Sequence, residues 1–260
     1  LSMSSSLELD QNAILTLIMA ESGLTKLEVD NAAEGEVRKG CLFLTKLEYN
    51  EKAFEKIKDF RFAIAKNLKI VPSRLFSGSA LQLAFMPEVE RIAELAFSDC
   101  PLAVACFQKA AIVGDGAFMG CESLGPVFLP LCELLGRGCF WGCRSIKILD
   151  LPRVKSAGLE QFWGCHSLQD LQIPSVERIG EDCFWKCDLK SVDAKLDANQ
   201  FKCSDGCKRM KGCAICRGQL EECLRRGGDP QNRLRIRKEL EGQTLRLLQE
   251  VVAPKMKNTE

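Results

Sequence analysis

Cysteine and histidine are the side chains best suited to chemistry here, and their numbers differ sharply: 15 cysteines against one histidine in 260 residues. Zinc proteases, protein kinases and hydrolases with a Ser–His–Asp triad all place a histidine in the site. His166 follows a cysteine in a repeated pattern, at a position taken elsewhere by Pro101, Glu122 and Arg144. Such variation is typical of a surface position. The sequence therefore predicts that the protein is not an enzyme.

Four cysteines near the carboxyl end have a spacing that could hold a metal ion. Cys203, Cys207, Cys213 and Cys216 are separated by three, five and two residues. Four thiolates can satisfy tetrahedral zinc, and the last pair has the spacing of a zinc knuckle. The short loop between the pairs is unusual for a zinc ribbon. Structural zinc, free or packed thiols, and a disulfide or redox pair all fit this pattern.

Composition indicates a folded protein in a reducing environment. The odd number of cysteines, the lack of a signal-peptide pattern and the lack of an Asn-x-Ser/Thr sequon argue against a secreted disulfide scaffold. We expect an intracellular compartment, the cytosol or the interior of an organelle reached with a presequence since removed. A net charge of +1 does not favour a nucleic-acid partner. The apolar runs are too short for a transmembrane segment, so we expect membrane association only through a partner.

A phenylalanine recurs every 21 or 22 residues through the middle of the chain. The series is Phe54, Phe76, Phe97, Phe118, Phe140, Phe162 and Phe184. A cysteine follows each of the last five by three residues, at Cys100, Cys121, Cys143, Cys165 and Cys187. An apolar residue follows each of the seven phenylalanines by five or six residues, at Phe60, Leu81, Leu102, Leu124, Ile146, Leu168 and Leu189. One such coil cannot bury its own apolar face, whereas stacked coils form continuous internal columns. The sequence therefore predicts a solenoid, with the repeated cysteines as small buried hydrophobic residues.

The clearest unit is FWGCHSLQDLQIPSVERIGEDC, residues 162–183. Glycines after the phenylalanine, such as Gly120, Gly142 and Gly164, allow a tight turn. The pattern FxGCxSLxxLxIPxVxxIG resembles the BspA-like leucine-rich repeat over about residues 54–195, and residues 41–54 resemble a degenerate preceding coil. The resemblance implies an α/β repeat solenoid: a stack of about seven 21–22-residue coils with a parallel sheet on one face. It also implies a role in protein recognition or adhesion.

Two columns of side chains should point outward from that sheet. One is Ile64, Phe85, Cys106, Phe128, Asp150, Gln172 and Asp193, and the other is Phe62, Leu83, Val104, Pro126, Ile148, Asp170 and Ser191. Both are apolar in the early coils and polar in the late ones. A large apolar patch is rarely left in water. The residues Phe62, Ile64, Leu83, Phe85, Val104 and Phe128 are therefore a predicted protein-binding surface, unless a terminal helix of the chain itself covers them.

All three tryptophans, Trp141, Trp163 and Trp185, stand directly after a repeat phenylalanine. The earlier coils have Ser98 and Met119 there, which indicates a surface position. The three indoles could stack as a rigid ladder or form a second protein-binding strip, because tryptophan is enriched at interfaces.

The ends of the chain differ from the repeat, so three regions are predicted. Residues 1–40 form a helical capping segment, in which a helix ends near Gly23 and residues 24–29 form a strand-like coil. Residues 41–197 form the solenoid. Residues 198–260 form a cysteine-rich turn region and amphipathic helices, the last beginning with Asp229–Pro230.

The absence of a catalytic set, the apolar columns and the tryptophans together predict a non-enzymatic protein–protein interaction scaffold. We expect an accessory or structural subunit of a larger, multiprotein complex, with other protein subunits as partners and no small-molecule substrate or cofactor. The alternative is a zinc-binding adaptor that uses the C-terminal cysteines, with the solenoid as reader.

Overall fold

A computed structural model describes residues 11–196, 200–204, 213 and 216–252. The described helices are α1 (Gln11–Ser22), α2 (Lys26–Asp30), α3 (Leu220–Gly228) and α4 (Pro230–Val252). The described strands are β1 (Val37–Arg38), β2 (Cys41–Phe43), β3 (Phe62–Ile64), β4 (Ile70–Val71), β5 (Leu83–Phe85), β6 (Arg91–Ile92), β7 (Ala105–Cys106), β8 (Ile112–Val113), β9 (Val127–Phe128), β10 (Leu134–Leu135), β11 (Ile148–Asp150), β12 (Ser156–Ala157), β13 (Asp170–Gln172), β14 (Arg178–Ile179) and β15 (Ser191–Asp193).

Each coil of the stack contributes two short parallel strands. The first strands form a front sheet, whose hydrogen-bonded order is β1-β2-β3-β5 and then β7-β9-β11-β13-β15, with β5 beside β7. The second strands form a back sheet in the order β4-β6-β8-β10-β12-β14. The predicted solenoid with a parallel sheet is confirmed. The back sheet was not predicted, because its two-residue strands have too few positions for an alternating pattern.

The repeated phenylalanines form one continuous column inside the stack. Ring centroids of neighbours in the series lie between 5.5 Å (Phe97–Phe118) and 6.1 Å (Phe140–Phe162), with nearly parallel planes. Phe201 extends the column beyond Phe184 at 5.9 Å. Phe201 breaks the 21–22-residue period, so the spacing did not reveal it. Burial of each such ring stabilises the fold by about 1.5–3 kcal/mol.

The repeated cysteines form a second column, and each is tied to the coil before it. The Cys121 thiol donates a hydrogen bond to the main-chain oxygen of Phe97 at 3.0 Å, and Cys143 donates to Phe118 at the same distance. The same bond occurs at Cys100, Cys165 and Cys187. These oxygens lie in the tight turns, where the Phe97 oxygen also accepts the Cys100 main-chain N–H. The thiols therefore pack and also satisfy buried acceptors.

The turn after each phenylalanine uses a left-handed residue. Gly120, Gly142 and Gly164 have φ values of 72°, 72° and 75°, which confirms their predicted role. Asp99 and Lys186 adopt the same conformation at the equivalent positions, with φ values of 56° and 61°. The turn is therefore kept even in coils that lack the glycine.

The N-terminal region is helical for longer than predicted. The helix α1 ends before Gly23, as expected, but residues 26–30 form α2 and not a strand-like coil. The side chain of Thr25 accepts the main-chain N–H of Glu28 at 3.2 Å, and the Glu28 carboxylate accepts the Thr25 N–H at 2.7 Å. This capping box starts a helix and overrides the similarity to residues 44–49. The edge of the front sheet is covered by β1, which pairs antiparallel with β2.

The structure contains two C-terminal helices, and the second begins at the predicted Asp229–Pro230. The helix α3 ends at Gly228 and packs against β15, so it covers the last coil. The Asp229 carboxylate accepts the Gln231 N–H at 3.0 Å, and α4 begins at Pro230. The contact between α3 and β15 is very close: a Cβ atom on Gly227 would lie 2.0 Å from the main-chain oxygen of Val192.

Candidate functional site

The strand register places the two predicted outward columns on the front sheet. Ile64 pairs with Phe85, Cys106 with Phe128, and Phe128 with Asp150. The structure therefore brings the predicted residues of each column together on one face.

The apolar half of this face is covered by α1. Phe62, Ile64, Leu83, Phe85 and Val104 keep only 1–6% of their surface exposed, and Phe128 is half-buried. They pack with Ile14, Leu17 and Ile18 of α1 in a second apolar cluster, separate from the solenoid interior. These residues were predicted to bind another protein. In the structure they bind the chain's own helix, and a partner would have to displace α1 to reach them.

The polar half of the face is covered by α4. Arg235 lies 2.9 Å from the Asp170 carboxylate, and Arg233 lies 2.7 Å from Asp193. Ser191 also donates a hydrogen bond to Asp170. The two aspartate side chains are only 4% and 10% exposed. Buried carboxylates require such partners, because an uncompensated charge in the interior is strongly destabilising. The change from apolar to polar side chains along the columns therefore matches two different covering helices.

Asp150 lies between these two halves. Loss of hydration raises its pKa, the nearby charge of Asp193 raises it further, and Arg237 of α4 lowers it. The positive side chains of α4 therefore offset repulsion among carboxylates on this part of the sheet.

The three tryptophans form a strip on the turns of the last coils. Trp141 and Trp163 stack with ring centroids 4.8 Å apart and planes 4° apart, and Trp185 meets Trp163 edge to face at 5.3 Å. Trp141 is 36% exposed, while the other two are half-buried. The ladder arrangement is thus present, and part of its surface reaches solvent.

An open groove of about 520 Å³ runs beside this tryptophan strip. Its apolar lining includes Leu95 and Met119 together with all three indoles. Its charged lining is Glu94, Asp115, Glu160 and Arg137. Arg137 pairs with Glu160 at 2.9 Å. Because three carboxylates and one guanidinium group line the groove, its net charge is negative. The groove combines aromatic surface with carboxylates.

Three of the four predicted metal-binding cysteines lie together at the end of the stack. The sulfur atoms of Cys203, Cys213 and Cys216 are all within 4.8 Å of one another. Cys203 and Cys213 are buried, and Cys216 is half-buried. Cys207 lies outside the described residues.

The comparison with protein families addresses the repeat itself. The model described as "BspA type Leucine rich repeat region" matches residues 44–125 and 103–207, with six copies. The chain belongs to this family. Its BspA-type repeats thus include the coil that begins near residue 44, which supports the degenerate first coil. No curated protein matches the chain.

Two leucine-rich repeat proteins of solved structure are similar to the chain. A leucine-rich repeat protein from T. pallidum has a TM-score of 0.52 and 20% identity, covering 69% of this chain and 83% of the other. A leucine-rich repeat protein from Bacteroides ovatus has a TM-score of 0.40 and 24% identity, covering 62% of this chain and 48% of the other. The first supports the fold of the BspA-type stack.

The remaining candidates for chemistry are His166 and the repeated cysteines. His166 is exposed, as predicted, and its main-chain N–H donates to the Gly164 oxygen at 2.9 Å. Burial raises the pKa of Cys100 to about 11 and that of Cys165 to about 12. Such thiols are poor nucleophiles because almost none is ionised near neutral pH. Within the described ranges, no helix has the length and apolar character needed to cross a bilayer.

Proposed function

We propose that this protein is a non-enzymatic interaction scaffold, an accessory or structural subunit of a larger intracellular assembly, which binds another protein subunit through the tryptophan strip. The observation that carries this proposal is the exposed indole surface beside an open groove. Leucine-rich repeat families generally supply surfaces for protein recognition, and this strip is an aromatic surface that α1 and α4 leave uncovered.

The groove also indicates the chemistry of the partner. Its apolar floor suits aliphatic or aromatic side chains, and its carboxylates suit lysine or arginine. The chain already places one cation against the strip, since the Lys186 ammonium lies 5.7 Å from the centre of the Trp163 ring. Guanidinium groups bind indole faces in the same way. We therefore expect the partner to present a basic segment with apolar residues.

The test compares two variants of the full chain. Trp141→Ala combined with Trp163→Ala should remove the stacked pair of indoles, whereas Ile70→Ala removes from the back sheet an apolar side chain that is more exposed (49%) than Trp141 (36%). Each protein is expressed with a tag, and its native size and cross-linked peptides are measured in a gentle, reducing extract. The wild type and Ile70→Ala should appear in a large complex with cross-links from the groove to one basic protein. The tryptophan variant should bind at least roughly 30-fold more weakly, the loss expected for two central interface tryptophans.

Circular dichroism of both variants must show the same folded solenoid. A wild-type protein that migrates as a 29 kDa monomer in every extract contradicts the subunit proposal. A complex that survives loss of both indoles contradicts the assigned surface.

A further inference from the structure

We propose that Cys203, Cys213 and Cys216 bind a structural Zn²⁺ ion at the C-terminal end of the solenoid. The proposal is independent of the tryptophan strip and its partner. It rests on three sulfur atoms that converge from two separate parts of the chain. The sulfurs of Cys203 and Cys213 are 3.4 Å apart, and those of Cys213 and Cys216 are 3.6 Å apart.

These distances fit zinc better than a disulfide. Two sulfurs joined in a disulfide are about 2.05 Å apart. Sulfurs on a tetrahedral zinc, each about 2.3 Å from the ion, are about 3.8 Å apart. The two measured separations differ from the tetrahedral value by a few tenths of an ångström, and the third lies within 4.8 Å. Side-chain rotations could bring the three sulfurs to the tetrahedral spacing.

The surroundings also suit a structural metal site. Cys203 and Cys213 are 8% and 0% exposed, and both belong to the apolar core of the stack together with Phe201 and Leu220. Zinc binds cysteine as the thiolate, and the charge of the ion offsets the cost of burying these anions.

Arg217 connects the cluster to the last regular coil. Its main-chain N–H donates to the Cys213 oxygen at 3.1 Å, directly after Cys216. Its guanidinium group lies 3.5 Å from the Asp188 carboxylate and 3.5 Å from the Cys187 oxygen. Arg217 therefore helps to hold Cys213 and Cys216 against the end of the stack.

The ion would complete the end of the stack. Cys203 follows the last phenylalanine of the column, and Cys216 precedes α3, the helix that packs on β15. A metal bond between these segments fixes α3 on the apolar edge that a terminal coil must cover. Three thiolates leave one tetrahedral position. The sequence predicts Cys207 for it, but the proposal rests on the three described cysteines.

The decisive experiment measures metal content of the full chain purified under reducing conditions with zinc. Inductively coupled plasma mass spectrometry should find about one zinc ion per chain. Cys216→Ser, a change at the most exposed of the three, should abolish stoichiometric zinc. The matched control is Cys223→Ser: that thiol bonds to the Leu189 oxygen at 3.3 Å and lies outside the group of three. The control should retain the metal.

A second measurement does not depend on how any variant folds. When cobalt(II) is substituted for zinc in the wild-type chain, it should give the visible absorption bands of a tetrahedral ion. It should also give the near-ultraviolet charge-transfer bands of Co–thiolate bonds. Wild-type protein without stoichiometric metal overturns the proposal, as do unchanged zinc in Cys216→Ser, a mass lower by two hydrogen atoms that marks a disulfide, or iron in place of zinc.

Discussion

A repeat cysteine in this chain does more than fill space, because its thiol proton bonds to a turn oxygen of the preceding coil. Ionisation of Cys143 would lose the bond to the Phe118 oxygen and bury an anion. Burial accordingly raises the pKa of the Cys143 thiol well above its usual range, and that of Cys165 to about 12. The column is therefore stable only while its thiols stay protonated.

This property predicts a loss of stability in alkaline solution. A thiol in the unfolded chain ionises near pH 9, whereas Cys165 in the folded chain does so near pH 12. Its contribution is fully present below about pH 9 and is lost as the pH rises towards 12, by about 1.4 kcal/mol per pH unit for each thiol. Urea unfolding at pH 7 and pH 10 with reductant should show this loss. In the double variant Cys143→Ala, Cys165→Ala the loss of stability between pH 7 and pH 10 should be smaller by about 1.4 kcal/mol for each thiol removed, and an unchanged loss would contradict the explanation.

The columns of phenylalanine, cysteine and leucine could be predicted because one spacing repeats through the chain. The bond from thiol to turn oxygen could not, since it depends on how each coil sits above the last. Phe201 was also missed, because the chain leaves its period there while the interior still has room for one more ring.

At the scale of elements, the contact between α3 and β15 depends on one glycine. Gly227→Ala would place a Cβ atom against the Val192 oxygen and should force α3 away from the last coil. We expect a loss of unfolding free energy of at least about 2 kcal/mol, since main-chain atoms cannot yield as a flexible side chain can. Hydrogen exchange should show faster exchange in β15.

The neighbouring Gly228 provides the control. A Cβ atom there meets nothing within 4 Å, so Gly228→Ala should be neutral or slightly stabilising. Helix propensity favours alanine at both positions, so equal destabilisation by the two substitutions would contradict the close approach of Gly227 to Val192 as the cause.

The helices themselves were largely predictable, but their positions were not. Asp229–Pro230 and the apolar spacing of α1 mark local starts and periods. A helix with one apolar face can dock on the end of a stack, on its sheet or on a partner, and the local pattern is the same in each case. The late-column aspartates Asp170 and Asp193 were the available signal, because buried carboxylates require cations such as Arg233 and Arg235.

At the scale of the molecule, the described residues form two apolar cores that share the front sheet. One lies inside the coils, and the other lies between the sheet and α1. We expect the second core to open without breaking the first. When α1 is released, the solenoid should therefore remain folded and expose the apolar half of its front sheet.

Ile18→Asp should produce that state, because Ile18 is fully buried in the second core. We expect strong binding of a hydrophobic dye, self-association and faster exchange in β3 and β5, with the solenoid signal in circular dichroism retained. The control, Thr16→Asp, places the same charge on an exposed position of α1 and should behave like the wild type. Unfolding of the whole chain by Ile18→Asp would show that the two cores are one cooperative unit.

The meeting of α1 and α4 on the front sheet also restricts how this repeat could grow. Ordinary stacks gain repeats by internal duplication and lose them by deletion, since each repeat touches only its neighbours. Here an extra unit between β9 and β11 would carry Asp170 and Asp193 about 4.8 Å further from the apolar half. A bare stripe would then open between the two helices. The number of repeats in this chain is therefore limited by the combined length of sheet that α1 and α4 can cover, although neither helix is itself part of a repeat.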